Sequence, residues 1–259
     1  MIPRKTFLVC IICGAVGVDL ASFAQENLPN RFDITSVKPH DSQIRPTVVM
    51  RSGSLTMAGL TFKQFLVTAF HLQPFRISGL PAWADSDRFD LEGIFQQDKP
   101  GSLEITEPQR AKLLEALKLL LKDRFGLEYQ LEKRTMQVFY LKIAKGGPKI
   151  KTGEELPPNP PDGRADGSVV RLVRRSSNMS ELAYLLSGLL GYDVLDQTGL
   201  VGSYSFSVVL PQNATALNGD ESVSGLTASL REQLGLTLES GKDSVEVLVT
   251  NKVHKPTQN

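Results

Sequence analysis

At 259 residues, 41% hydrophobic and 22% charged, the chain has apolar material for one large globular unit or two small ones and is too rich in it for a disordered polymer. Its 29 basic and 28 acidic side chains nearly cancel, which removes the electrostatic footprint that nucleic-acid binding needs. Both cysteines, Cys10 and Cys13, lie in the first apolar run, so no disulfide framework is expected.

That run begins after Arg4 and Lys5, extends from Phe7 to Val18, and closes on the small residues of Ala21-Ser22-Phe23-Ala24. It reads as a secretory signal over residues 1–24, cleaved after Ala24. A transmembrane helix needs roughly 20 apolar residues, and this stretch is shorter. Cleavage removes Arg4, Lys5 and Asp19, which takes the 29 basic and 28 acidic side chains to 27 of each. No later stretch is long and apolar enough to span a bilayer, because Leu182 to Leu195 is broken by Gly188, Gly191 and Asp193. An exported protein, periplasmic or secreted, with no transmembrane segment in its mature chain is the expectation.

Phe32-Asp33-Ile34-Thr35-Ser36-Val37-Lys38 alternates apolar and polar residues up to Pro39 and predicts a strand. A hairpin is expected around Ser52-Gly53. Thr61 and Gln64 have the spacing of a capping box, and Phe62, Phe65, Leu66, Ala69 and Phe70 form one helical stripe that Pro74 ends. Short strands at Phe75 to Gly79 and Arg88 to Glu92 flank the turn Leu80-Pro81-Ala82-Trp83. Thr106 and Gln109 open a second helix, which carries Leu113, Leu114, Leu117, Leu120, Leu121 and Phe125 and stops at Gly126. Two strands, Leu127 to Glu132 and Gln137 to Lys145, complete this half.

Residues 149–167 contain four prolines between Pro157 and Pro161 and read as a Pro/Gly-rich linker. The order then recurs: strand Ser168 to Arg174, helix Ser180 to Leu190, strands Tyr192 to Asp196 and Ser203 to Leu210, helix Leu226 to Leu234, strands Leu236 to Glu239 and Val245 to Asn251. Gly79-Leu80 matches Gly199-Leu200, Phe125-Gly126-Leu127 matches Leu234-Gly235-Leu236, and Val138 to Leu141 matches Val245 to Leu248. The expected fold is α+β, with two related β-α-β-β-α-β-β lobes over residues 25–148 and 168–259 and largely antiparallel sheets.

Catalytic chemistry is thinly supplied. His40, His71 and His254 show no metal-ligand spacing, and no nucleophile elbow, phosphate loop or dinucleotide fingerprint occurs. No catalytic residue, metal or cofactor is therefore assigned. The acidic run Asp85, Asp87, Asp90 and Glu92 lacks the calcium-loop pattern. Three residues stand out as binding candidates: Trp83, the single tryptophan, set in a proline-containing turn, and the neighbouring Asp87 and Asp90.

The stretches from Phe32 to Pro39, Gly79 to Trp83, Arg88-Phe89-Asp90, Asp123 to Leu127, Asp196 to Tyr204 and the ending from Val245 to Val253 resemble one soil-associated, largely acidobacterial family of exported proteins, defined by a domain of unknown function. Thr250-Asn251 stands where that family more usually has Ile-Asp. The resemblance implies export and no established activity, cofactor or site residue. Some relatives are joined to membrane-bound metallopeptidases of the antibiotic-sensor type, which suggests extracytoplasmic sensing or interaction. The expectation is a non-enzymatic binding or interaction module of the cell envelope or exterior, with an envelope or extracellular protein as partner and strand addition at a sheet edge as a mode. The alternative is an extracellular hydrolase using paired carboxylates such as Asp87, Asp90 or Asp196.

Overall fold

The capping boxes expected at Thr61 and Thr106 both form. In a computed structural model that describes residues 30–41, 45–96, 103–150, 169–211 and 220–256, each threonine hydroxyl accepts from the backbone N-H three residues on, and each glutamine returns a bond to the threonine N-H. They start α1 (Phe62–Phe70) and α3 (Glu107–Phe125), whose predicted stripes are buried apart from the half-buried Phe70 and Leu114. Before α1 run β1 (Ile34–Pro39), β2 (Thr47–Arg51) and β3 (Ser54–Thr61). Between α1 and α3 come a 3-10 turn at Pro74–Arg76, the two-residue β4 (Ile77–Ser78), the one-turn helix α2 (Trp83–Ser86) and β5 (Arg88–Ile94). Pro74 supplies the fixed φ that opens the 3-10 turn, which confines the strand expected from Phe75 to two residues.

After α3 the expectation of two strands fails. A single strand, β6 (Glu128–Ile143), runs through. The second half gives β7 (Val169–Ser177), α4 (Met179–Leu190), β8 (Asp193–Asp196), β9 (Tyr204–Pro211), α5 (Asp220–Leu234) and β10 (Leu236–Lys252), where again one long strand replaces two. Each half thus ends on one strand, and, with the one-turn α2 set aside, the order β-α-β-β-α-β occurs twice, as β3-α1-β4-β5-α3-β6 and as β7-α4-β8-β9-α5-β10. The class is α+β, as the residue pattern indicates. The signal segment 1–24 and nearly all of the Pro/Gly-rich stretch lie outside the described residues. Among the described residues no helix is long and apolar enough to cross a membrane.

The long strands are continuous because they pair with each other. β6 and β10 form an antiparallel ribbon from Leu236 opposite Ile143 to Lys252 opposite Glu128. The short strand of each half then adds in parallel to the long strand of the other: β4 to β10 at Leu248 and Val249, β8 to β6 at Val138 to Leu141. The sheet order β4-β10-β6-β8 therefore maps onto itself when the halves are exchanged. Of the stretches matched in sequence, all four residues of Val138–Leu141 hold β8, whereas only Leu248 of Val245–Leu248 holds β4. The other sheets are β1-β5-β3-β2 and the two-stranded β7-β9.

Burial follows this exchange. One core gathers α1, α3 and strands β3 and β5 and takes Leu248 from β10; the other gathers α4, α5 and β9 and takes Phe139 and Leu141 from β6. The first core holds Leu127, just before β6, and the second holds Leu236 and Leu238 of β10; each long strand then ends in its neighbour's core.

The chain beyond each long strand closes a helix of the opposite half. Past β6, Ala144 N-H donates to the Gly235 carbonyl at 2.9 Å and Lys149 N-H to Leu234 at 2.8 Å; past β10, His254 N-H donates to Phe125 at 2.9 Å. These bonds satisfy carbonyls that helix ends leave open. Gly235 has φ 67°, and a methyl group there would run into the Gly147 carbonyl oxygen and the Lys149 amide. Gly235→Ala should cost about 2 kcal/mol or more, read by urea unfolding, because a left-handed alanine is strained and backbone must also shift. An unchanged midpoint would show that the clamp after β6 yields freely.

Candidate functional site

The binding candidates read from sequence are engaged within the fold. Trp83 is half-buried at the edge of the first core, its ring centroid 5.5 Å from Phe62, 6.2 Å from Phe89 and 6.5 Å from Phe125. Asp87 pairs with Lys255 at 2.6 Å and accepts from Ser86 Oγ, and these bonds draw its pKa below the ordinary carboxylate value. Asp90 serves a β-bulge. The β3–β5 register shifts between Met57 and Leu60, leaving Gly59 without a ladder partner. Asp90 Oδ1 accepts from Gly59 N-H at 2.8 Å and lies 2.7 Å from His40 Nδ1, while Arg88 Nη1 donates to the Gly59 carbonyl at 2.6 Å. Arg88 and Asp90, on one face of β5, thus clamp both polar groups of the bulge. Asp196 accepts from the Thr198 backbone and hydroxyl in a turn after β8. Each of these carboxylates is held by partners of its own.

The structure assembles a different place. A cavity of about 630 Å³ opens between the halves, walled by the end of α1, the first turns of α3, the outer face of α4 and the start of β8. Its walls are fixed across the junction. Gln73 Nε2 donates to the Tyr184 carbonyl at 2.6 Å, and Ser187 Oγ accepts from Val194 N-H, joining α4 to β8. Arg76 Nε stands 2.5 Å from Asp193 Oδ1, with side chains only 16% and 3% exposed. Arg110 and Glu107 from α3 and Glu181 from α4 also face the space, where Glu181 accepts from Ser177 Oγ at 2.7 Å. A second cavity, of about 570 Å³, lies by Ala144 to Lys149 and Arg231, but Lys149 and Glu239 in its walls are bonded to Glu232 and Lys142.

His71 is the feature that separates the first cavity from a packing gap. Helices α3, α4 and α5 are each followed by a left-handed glycine, Gly126, Gly191 and Gly235. At the same position after α1 stands His71, with φ 51° and ψ 39°, the one non-glycine residue at positive φ among the described residues. Glycine occupies this site elsewhere because a Cβ costs roughly 1–2 kcal/mol there. The histidine ring lies over Tyr184 of the other half, centroids 4.0 Å apart and planes 14° from parallel. Burial, then the positive charge of Arg110, lower its pKa below 6.5, with Glu181 opposing. Burial likewise raises the Tyr184 pKa, so the phenol keeps its proton.

A family model described as a protein of unknown function (DUF3738) matches residues 63–253, most of the chain. The chain belongs to the DUF3738 family. No curated protein and no solved structure matches it. All the cavity walls except Met50 fall inside the DUF3738 match, as do both long strands and the clamps on α3 and α5. Among the described residues of this DUF3738 domain, no three His, Cys, Asp or Glu side chains gather as a metal site.

Protonation of His71 gives the domain a pH dependence with a defined sign. The unfolded ring takes its proton near 6.5, whereas the folded ring resists it. The unfolded state thus binds more protons below that pH. The stabilisation is complete above about pH 6.5 and is lost as pH falls through the lower folded pKa. Melting temperature should fall between pH 7 and 5, and fall less steeply in His71→Gly. Equal slopes in the two proteins would locate the dependence elsewhere.

In the sequence His71 has no partner at metal-ligand spacing. The usable signal was comparative: glycine follows the other long helices, and histidine follows α1.

Proposed function

We propose that this is an exported, non-enzymatic binding module of the cell envelope or exterior, whose small-molecule ligand seats in the cavity between its halves. The observation that carries the reading is His71, held left-handed where glycine is the low-energy choice and stacked across the junction on Tyr184. Unfavourable backbone conformations concentrate at functional sites. The cavity's volume lies within the common range for ligand sites, about 300–1,000 Å³. The charged and polar side chains set in its partly apolar lining suit orientation of a polar ligand. Export rests on the residue pattern of positions 1–24. Strand addition is the weaker mode at the central sheet, since its edge strands β4 and β8 are only two and four residues long.

The test is thermal unfolding of the wild type and His71→Gly against amino acids, dipeptides, neutral sugars, carboxylates and phosphate esters. Loss of the stack and relief of the left-handed strain are of similar size, about 1 kcal/mol each, so the variant alone should melt close to wild type. At least one class should raise the wild-type melting temperature and leave His71→Gly unmoved. If no class shifts the wild type, or every shift survives in the variant, the reading is wrong.

A further inference from the structure

The binding reading above leaves the ligand's chemistry open, and the charges on the cavity wall narrow it. At the floor, Asp193 is 3% exposed; its Oδ1 faces Arg76, while its Oδ2 receives no hydrogen bond from any described residue. A buried carboxylate oxygen without a donor is rare in folded proteins, where such groups are nearly always satisfied. At the mouth, Arg110 is about half exposed, and its nearest acid, Glu107, lies 3.7 Å away, beyond hydrogen-bond reach. The wall thus carries an unsatisfied acceptor at the buried end and an under-used guanidinium at the exposed end. Two arginines against three carboxylates make it a poor trap for a simple anion, and Arg110 at the entrance disfavours a simple cation.

We propose that the cavity takes a small zwitterion, an amino acid or short peptide with free termini, its ammonium group donating to Asp193 Oδ2 and its carboxylate meeting the Arg110 guanidinium. A planar carboxylate fits the guanidinium fork, and a compact ammonium supplies the donor that Asp193 lacks. The body of the ligand then runs past the His71–Tyr184 stack, with Val67 and Leu114 as its apolar wall.

Isothermal titration of the full-length protein with the free dipeptides Ala-Ala, Gly-Glu, Gly-Lys and Gly-Phe tests this. Their N-acetylated and C-amidated forms, maltose and citrate serve as comparisons. At least one free dipeptide should bind, and blocking either terminus should weaken it tenfold or more. Arg110→Gln, at the exposed mouth, should keep the wild-type melting temperature and lose at least tenfold in affinity for the free dipeptide. It should not alter the already weak binding of the amidated one. Asp193→Asn removes the charge with little change of shape and should affect the acetylated form least. Blocked and free peptides binding alike would overturn the proposal. Maltose or citrate binding that depends on His71, without any dipeptide binding, would overturn the ligand assignment and leave the cavity reading standing. Silence from every compound would overturn both.

Discussion

Expressed separately, residues 25–148 and 168–259 will each fail to show a cooperative unfolding transition, and mixing them will restore one. Without the second half, the first loses Leu248 from its core and the parallel partner of β4. Without the first, the second loses Phe139 and Leu141, and β8 has no strand to join. Each large apolar side chain is worth about 1.5–3 kcal/mol on burial. Removing a few such contacts together with the β6–β10 ladder consumes the whole margin of a small domain, about 5–15 kcal/mol. Urea titrations followed by far-UV circular dichroism decide it. A sigmoidal transition in either half alone would mean that the strand exchange is dispensable.

A second large effect is expected at the ion pair joining the halves beneath the cavity. Asp193→Ala leaves the Arg76 guanidinium without its partner in a site that is largely closed to water. Breaking such a pair by removing one member costs about 3–5 kcal/mol, because the remaining charge is still desolvated. Replacing both members, as in Arg76→Met with Asp193→Leu, should recover most of that loss, since an apolar pair of similar size pays no desolvation. A double-mutant cycle by urea unfolding gives the coupling directly. If Asp193→Ala costs less than about 1 kcal/mol, water reaches the pair and the cavity floor is more open than its burial indicates.

The sequence carried the helices well and the long strands badly, for a physical reason. Capping boxes at Thr61 and Thr106 and the apolar stripes behind them are local patterns, and local hydrogen bonds realise them. The helix expected from Leu226 begins at Asp220 and runs through Gly225, whose cost of about 1 kcal/mol in a helix is tolerated. The segment Glu239-Ser240-Gly241-Lys242-Asp243 has turn composition, yet it is the middle of β10. There Gly241 faces Val138, and its missing side chain makes room for the Tyr140 ring, whose hydroxyl donates to the Lys242 carbonyl at 3.1 Å. A glycine read as a chain reversal is a seat for an aromatic ring on the neighbouring strand.

The candidate site was illegible for a related reason. Its walls come from both halves, joined by contacts such as Gln73 to Tyr184, 111 positions apart in sequence. The candidates legible along the chain, Trp83, Asp87 and Asp90, lie close together in sequence instead. In the fold Trp83 covers the first core, Asp87 holds the C-terminal segment through Lys255, and Asp90 holds a bulge.

The most direct measurement is a two-dimensional NMR titration of the isotope-labelled protein with whichever compound raises its melting temperature most. The largest shift changes should fall on His71, Arg76, Arg110, Tyr184 and Asp193, drawn from both halves and converging on one cavity. Changes centred instead on Trp83, Asp87 and Asp90, or on a sheet edge, would contradict a binding site at the junction.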